Sequence, residues 1–368
     1  MKHNRATIYS VAEVAGVSRQ TVSNVLNHPE RVSPDLQKSV QEAIRDTGYR
    51  PSASARALAL ARAGLVAFRV GDGKHNEVSI LDPFMREVAR IGSTYGYRLV
   101  LDYVPDNDKS QIASYEGLAA GHTVDAVIIA ETHPDDQRPQ WLIDHAIPFV
   151  AFGRPWGNMD ARHSWVDVDV GTGVRLAVNH LAARGHQRIA YAGSSPDNGR
   201  RQERWSGWYD AMAGLFGPGE TTRPSQWESL ALRCDLTRLD AALGKFLAEQ
   251  KPTAIVCQDD EFGHAVMLEA VRQGLIPGRD VAVVGFDDSV LARTARPTMS
   301  SVAQPLTKVV ELVWQSLIDQ IERPGTPPIH ALVCPTLITR ESSDFQLTHQ
   351  IWGQPSSSSD RENKEKQQ

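Results

Sequence analysis

The chain has 368 residues, of which 41% are hydrophobic and 23% charged, as is typical of a globular protein with room for two or three domains. No apolar run approaches the roughly 18 residues of a membrane span and no signal-peptide pattern opens the chain, so we expect a cytoplasmic protein without a membrane partner. The net charge of −5 hides an asymmetry, because residues 1–62 hold nine Lys and Arg against five Asp and Glu. This basic end suits phosphate contact. Cys234, Cys257 and Cys334 are far apart and lack metal-ligand spacing, which predicts neither a disulfide framework nor a metal site.

Residues 7–26, TIYSVAEVAGVSRQTVSNVL, have the pattern of two short helices. Apolar residues recur at helical spacing up to Gly16, which breaks the first run, and a second run follows Ser18. Thr7 and Ser18 are each placed to cap the helix that follows them. Neither helix is long enough to bury its apolar stripe alone, so the pattern predicts a helix-turn-helix.

The second of these helices begins with a set of polar side chains, namely Arg19, Gln20, Thr21, Ser23 and Asn24. Arginine can donate two hydrogen bonds to the major-groove edge of guanine, and glutamine can pair with adenine. The set therefore predicts a surface that reads DNA, although the solvated face of an ordinary helical hairpin would look similar. A third helix is expected with Ser33 as its cap and Pro34 in its first turn, ending at Gly48.

With its continuation RVSPDLQKSVQEAIRDTGYRPSASARALA, this stretch resembles the DNA-binding head of the lactose-repressor (LacI/GalR) family without a gap from residue 7 to about residue 59. The resemblance implies a hinge at residues 51–62 that becomes helical on operator DNA, with Leu58 inserted into the minor groove. A flexible Ala-rich linker is the alternative for this hinge. By the same resemblance the DNA-contacting residues are Thr7, Ser18, Arg19, Gln20, Thr21, Ser23, Asn24, Ser33, Tyr49, Ser52, Arg56 and Leu58.

From Leu65 onward, short β-rich runs alternate with helical stretches. The expected strands are LVAF, RLVLDYV, DAVIIA, FVAFG, RIAYAG, AIVC and VAVVGF, and the expected helices span 83–95, 173–184, 204–216, 239–249 and 262–273. Such alternation predicts doubly wound α/β domains with parallel sheets, and the number of units predicts two lobes with a cleft between them. The polar, Ser-rich residues 346–368 are expected to form a disordered tail.

The segments VDVDVGTGVRLAVNHLAARGHQRIAYAG, RQERWSGWYDAM and VAVVGFDDSVLARTARPTMSSVAQP resemble the effector-binding core of the same family, which has the fold of periplasmic sugar-binding proteins. The resemblance implies that Arg204 grips effector oxygens, that Asp287 accepts hydrogen bonds from a sugar hydroxyl, and that Trp227 packs on the sugar. Each has a plainer reading, respectively a surface arginine, a solvated acidic loop and a core tryptophan. The full set of candidate effector residues is Arg69, His133, Arg204, Trp227, Gln258, Asp259 and Asp287.

These observations predict a helix-turn-helix head at residues 1–50, a hinge at 51–62, and a two-lobed effector-binding and dimerisation core at 63–345. No GxSxG, Walker or HExxH motif is present, so neither an enzyme nor a cofactor is expected. The predicted function is that of a homodimeric transcriptional repressor whose partners are double-stranded operator DNA and a mono- or disaccharide effector. A purine-responsive regulator of the same family, or a sugar-binding protein without a DNA role, are the alternatives.

Overall fold

A computed structural model describes residues 6–49, 62–71, 80–105, 107–195, 199–217, 227–234 and 239–344. The predicted hinge residues Ser52, Arg56 and Leu58, and the predicted tail at 346–368, lie outside the described residues. The chain forms two compact units, one of residues 1–64 with 122–125 and the other of residues 65–121 with 126–368.

Among the described residues, the first unit contains three helices, α1 (Ile8–Ala15), α2 (Arg19–Asn27) and α3 (Pro34–Thr47), with a 3-10 turn at Pro29–Arg31. The Thr7 hydroxyl accepts from the Ser10 amide while the Ser10 hydroxyl accepts from the Thr7 amide, forming a capping box. Ser18 caps α2 by accepting from the Thr21 amide at 3.1 Å. Gly16 ends α1 with φ of 65°, a left-handed conformation that glycine adopts without strain. The predicted helix-turn-helix is confirmed.

A small apolar core holds these helices together. Its buried members are Val11, Ala12, Val22, Val25, Val40 and Ala43. The prediction for Ser33 is only partly right. Ser33 stands at the N-cap of α3 and its carbonyl accepts from the Gln37 amide at 3.0 Å, but its side chain makes no capping hydrogen bond.

The described residues of the second unit form two six-stranded sheets. The strands are β1 (Leu65–Val70), β2 (Arg98–Tyr103), β3 (Ala126–Ala130), β4 (Phe149–Phe152), β5 (Ser164–Val168), β6 (Ile189–Gly193), β7 (Ala231–Arg233), β8 (Ala254–Cys257), β9 (Ala282–Phe286), β10 (Ser300–Ala303), β11 (His330–Val333) and β12 (Thr336–Ile338). Their order is β11-β5-β4-β3-β1-β2 in the first sheet and β12-β10-β9-β8-β6-β7 in the second. All neighbours pair in parallel except β10 and β12. The predicted fold class, a helical head plus a two-lobed α/β core, is confirmed.

Helices cover both sheets, so β3, β4 and β5 are buried along their whole length. They are α4 (Leu81–Thr94), α5 (Asp108–Ala120), α6 (Arg138–Asp144), α7 (Val170–Ala183), α8 (Gly199–Phe216), α9 (Leu239–Gln250), α10 (Asp260–Arg272), α11 (Val290–Thr294) and α12 (Leu306–Glu322), with 3-10 turns at Glu228–Leu230 and Glu341–Ser343. No helix among the described residues combines the length and apolarity needed to cross a membrane.

The chain passes between the sheets three times. It leaves the first sheet after β5, returns for β11 and crosses again to β12. We call the β1–β5 and β11 sheet with its helices the first lobe, and the other sheet with its helices the second lobe. The loops after the carboxyl ends of the parallel strands carry Asp287 and Gln258 in the second lobe and His133 in the first.

Helices α7 and α8 pack closely because glycines face each other in the second lobe. A Cβ at Gly207 would lie 2.7 Å from the carbonyl oxygen of Gly171, which belongs to the backbone and cannot move aside easily. Gly214, about two turns further along α8, is exposed and has open space around the corresponding position.

We therefore expect Gly207→Ala to lower the free energy of unfolding, because the steric clash outweighs the roughly 1 kcal/mol that alanine gains over glycine in a helix. Gly214→Ala is the matched control and should leave the stability unchanged or raise it. Urea denaturation followed by circular dichroism measures both, and a Gly207→Ala protein as stable as Gly214→Ala would contradict this packing.

Candidate functional site

The start of α2 presents an exposed polar surface in the first unit. Arg19 and Gln20 are both exposed, and they directly follow Ser18, which caps the helix. The Arg19 Nη1 donates to the Tyr9 hydroxyl of α1 at 2.9 Å, and its guanidinium lies 5.5 Å from the centre of that ring. The Gln20 Nε2 donates to Asn24 Oδ1 at 3.1 Å, one turn further along α2. Both potential base-reading side chains are thus oriented by a neighbour.

The remaining predicted DNA-contacting residues have varied environments. Thr7 and Ser18 use their hydroxyls as helix caps, and Thr21 shares a 2.9 Å hydrogen bond with the Ser18 hydroxyl. Ser23 is half-buried, and Tyr49 packs against the three-helix core. Tyr9 was absent from the predicted set. In the sequence, Tyr9 is distinguished only as an aromatic residue on the polar side of the first predicted helix.

In the second lobe, Arg204 of α8 is 5% exposed and reaches the carboxyl ends of two strands. Its Nη1 donates to the carbonyl of Gln258, directly after β8, at 2.5 Å. Its Nη2 donates to Asp287 Oδ1, directly after β9, at 3.3 Å. The guanidinium carbon lies 4.0 Å from the centre of the Phe286 ring. The buried Nε of Arg204 has no hydrogen-bond partner among the described residues, which leaves a donor for a bound oxygen.

Asp287 connects Arg204 to Gln304, which follows β10. Its Oδ1 accepts from Gln304 Nε2 at 2.6 Å as well as from Arg204. Asp287 has φ of 96° and Asp288 has φ of 49°, left-handed conformations that cost free energy in residues other than glycine. Asp288 in turn accepts from Arg340 at 2.6 Å. We call Arg204, Asp287 and Gln304 the polar clamp.

Gln258 and Asp259 hold the strand ends in place. Gln258 is 2% exposed, and its Oε1 accepts from the Ser194 amide at 2.9 Å. Asp259 caps α10 by accepting from the Phe262 amide at 2.9 Å. Burial, together with the nearby Asp287, raises the pKa of Asp259 to about 6, despite the amide and Arg204. Burial also raises the pKa of Asp260 to about 7, although Ser301 and Ser289 donate to its carboxylate. Structural contacts thus occupy both Gln258 and Asp259.

In the first lobe, Arg69 was expected just after the first strand but lies within β1, at its carboxyl end, whereas His133 follows β3 as expected. Arg69 is 7% exposed, and its Nη2 forms an ion pair with Glu131 at 3.1 Å. His133 Nε2 lies 3.0 Å from Asp108. Burial lowers the pKa of His133, but hydrogen bonds to the Pro134 carbonyl and to Asp108 outweigh it, so the pKa is raised overall.

A cleft lies between the two lobes and combines residues from both. Its lining comprises Glu131, Thr132, His133, Phe152, Gly153, Trp156, Asp167, Val170, Arg200 and Gln304. Of the predicted effector residues, His133 lines this cleft directly, and the polar clamp reaches it through Gln304. The sequence-based set omitted Glu131, Trp156, Asp167, Arg200 and Gln304, because their convergence depends on how the two sheets face each other.

Arg154, which follows β4 in the first lobe, connects the lobes beside this cleft. Its Nε donates to Asp167 at 2.7 Å and its Nη1 donates to Glu203 of α8 at 3.0 Å. Burial raises the pKa of Glu203, and Arg154 opposes that shift. The Trp156 indole lies directly against Gly199 at the start of α8, where a Cβ would come within 2.1 Å of the ring.

Trp227, predicted to pack on a sugar, is 7% exposed and belongs to the hydrophobic core. Its ring centre lies 6.5 Å from that of Phe216, and the cleft lining does not include it. Trp227 is therefore a core side chain, which was the alternative to the predicted contact with a sugar.

Asp108, His133 and Asp136 bring their ligand atoms within 4.8 Å of one another, as a metal site would. However, Arg138 Nη2 pairs with Asp136 at 2.6 Å and its Nε lies 3.7 Å from Asp108. A guanidinium already neutralises these carboxylates, so the cluster is better described as an ion-pair network.

Comparisons with known proteins agree with this architecture. Residues 7–52 match the family described as bacterial regulatory proteins of the lacI family, and residues 178–343 match the periplasmic binding protein-like domain. The HTH-type transcriptional regulator CelR of Thermobifida fusca is 32% identical over 350 residues, covering 93% of this chain and 99% of the relative.

Solved structures give the same result. The transcriptional regulator CelR–cellobiose complex has 31% identity and a TM-score of 0.65, covering 92% of this chain and all of the other. The Lac repressor dimer bound to operator and the anti-inducer ONPF shares the fold at 22% identity, with a TM-score of 0.75 and coverage of 93% and 100%. With head and core both matched in order along nearly the whole chain, the protein belongs to the LacI family of bacterial regulatory proteins.

Proposed function

We propose that this protein is a transcriptional repressor that binds a pseudo-palindromic operator and releases or retains it in response to a small molecule. The exposed pair Arg19 and Gln20, each oriented by a neighbouring side chain at the start of α2, is the observation that carries the DNA-binding role. The head would span residues 1–50, the hinge 51–62 and the effector core 63–345, with Leu58 of the hinge contacting the minor groove. Such a regulator would act in the cytoplasm, where bacterial DNA lies.

The effector proposed for the cleft is a mono- or disaccharide. Sugar hydroxyls both donate and accept, and donors on Arg200 and Gln304 line the cleft. Acceptor carboxylates of Glu131 and Asp167 also line it, and Trp156 adds an aromatic surface. Arg204 and Asp287 adjoin the cleft through the hydrogen bond between Asp287 and Gln304. The complex of the relative CelR with cellobiose supports the same class of ligand. A purine is the second candidate, since the Trp156 ring could also stack on a base.

The ligand would control DNA affinity by changing the relative orientation of the lobes. A ligand shifts an equilibrium only through unequal affinity for two states, and residues of both lobes line the cleft. The Arg154–Glu203 ion pair and the Trp156–Gly199 contact connect the lobes beside the ligand site. Ligand binding there would act directly on the contacts that set the lobe orientation.

We further propose a homodimer, which a pseudo-palindromic operator requires. Strand β2 is an edge of the first sheet, and its Leu101 and Tyr103 side chains are 57% and 69% exposed. In the second lobe, Leu268 and Val271 of α10 are 56% and 58% exposed. A second copy of the chain would cover these apolar side chains.

We expect Leu101→Glu to weaken the dimer, because a buried, unpaired carboxylate in the interface is costly. Leu332→Glu, on the opposite edge of the same sheet and 42% exposed, is the matched control and should remain dimeric. Sedimentation velocity over a concentration series measures both. A monomeric wild-type protein, or equal association of the two variants, would contradict this interface.

For operator reading, we expect Gln20→Ala to weaken specific binding by about 1–3 kcal/mol, the usual range for one base contact, while nonspecific binding changes little. An operator for this test comes from selection on randomised duplexes, followed by fluorescence anisotropy at one fixed salt concentration. Gln41→Ala, which removes another exposed glutamine on α3, should behave like the wild type. Equal losses on operator and random DNA would show that Gln20 does not read a base.

For the effector, cellobiose, monosaccharides and purines are to be compared by thermal shift, because a ligand that binds the folded state raises the unfolding temperature. We expect a sugar to stabilise the wild type. Asp287→Asn removes the charge that accepts from Arg204 and Gln304, and asparagine tolerates the left-handed backbone there. Arg204→Lys removes the forked donor and keeps the charge.

Each of these two variants should bind the sugar at least about tenfold more weakly, as expected for a lost hydrogen bond to a charged group, while ligand-free operator affinity stays near wild type. The exposed Asp210→Asn and Arg272→Lys are the respective controls. Stabilisation by a purine alone would favour the second candidate ligand. Normal sugar binding by both variants would place the effector away from the polar clamp.

A further inference from the structure

The contact between Tyr9 and Arg19 joins two helices of the head at its exposed surface. Tyr9 lies on α1 and is 63% exposed, and Arg19 is the first residue of α2. An arginine with four rotatable side-chain bonds loses considerable entropy when it is fixed in one rotamer. Here the 2.9 Å hydrogen bond and the 5.5 Å placement of the guanidinium over the ring hold it before any ligand is bound.

The atoms used by this contact leave the reading edge of Arg19 available. One Nη1 hydrogen goes to the Tyr9 oxygen, whereas the Nε–H and the Nη2 hydrogen beside it form a separate edge of the guanidinium. This edge matches the O6 and N7 acceptors of guanine. Within the part of the chain that the structure describes, Arg19 forms no ion pair with a carboxylate, so its charge is not neutralised.

The tyrosine hydroxyl accepts from Arg19 and therefore points its own proton away from the guanidinium. Gln20 is oriented separately, through Asn24 on the same helix, and does not share this contact. The two exposed base-reading side chains of α2 are thus oriented independently, Arg19 by Tyr9 on α1 and Gln20 by Asn24 on α2.

We propose that Tyr9 is a positioning residue for base readout, and that it sets the preference for a guanine at the operator base pair that Arg19 contacts. This inference rests on the proposed operator binding, and it adds a residue that determines specificity outside α2, the helix that carries the base-reading side chains. Tyr9 acts through Arg19, so its removal alters the preference at one base pair per half-site and leaves the others unchanged.

A double-mutant cycle tests the proposal on the full-length protein. Wild type, Tyr9→Phe, Arg19→Ala and the double variant are measured by anisotropy on the selected operator and on all single-base variants of one half-site. Tyr9→Phe keeps the ring and removes only the hydrogen-bond acceptor. We expect it to lose about three- to tenfold in affinity, the net worth of one hydrogen bond, with the preference flattened only at the base pair that Arg19→Ala also flattens.

The decisive comparison is the effect of Tyr9→Phe once Arg19 is absent. If Tyr9 acts through Arg19, the double variant binds like Arg19→Ala alone. Equal losses from Tyr9→Phe in both backgrounds would overturn the proposal and show that Tyr9 contacts DNA by itself, for example at a phosphate. Unchanged preferences in Tyr9→Phe would also overturn it. If the wild-type protein selects no sequence at all, the proposed function fails instead, which is a distinguishable result.

Discussion

The buried ion network around Arg154 is the constraint on which the geometry of the core depends. Arg154 contacts Asp167 of its own lobe at 2.7 Å and Glu203 of the other lobe at 3.0 Å, with a side chain only 9% exposed. Removing one partner from such a network leaves a buried charge uncompensated, which costs several kcal/mol, typically about 3–5. The lobe orientation is therefore coupled to residues that line the cleft between the lobes, among them Asp167. A ligand that competes for or reinforces these contacts can shift that orientation.

The packing of α8 against α7 explains why the polar clamp can form. Close approach of α7 and α8 at Gly171 and Gly207 fixes α8 in the second lobe, and α8 carries both Glu203 and Arg204. Adjacent residues of one helix thus serve two purposes, since Glu203 contacts the first lobe and Arg204 the strand ends of the second. Asp287 has a left-handed backbone while its amide donates to the Val302 carbonyl at 2.8 Å and its carboxylate accepts from Arg204 and Gln304.

Sequence patterns predicted several particular features that the structure contains. The caps at Thr7 and Ser18 depend on residues within three positions of one another, so local chemistry is sufficient to predict them. The buried strands β1, β3, β8 and β9 were recognisable as short apolar runs. Strand β5, SWVDV, was missed because its charged residue breaks the apolar run, and the arginine that pairs with Asp167 is Arg154, thirteen residues away. The short edge strands β7, β11 and β12 carry equally weak patterns.

For this protein, the sequence by itself determined the helix-turn-helix and the alternation of strands and helices. It also determined that Arg204 lies on a helix and that Asp287 directly follows a strand. These features follow from spacing of apolar residues and from turn chemistry, which act over a few residues. Only the tertiary structure decided that Trp227 lies in the core while Trp156 lines the cleft, and that Tyr9 orients Arg19. Those outcomes depend on which surfaces face each other after packing, and no local pattern in the chain records that.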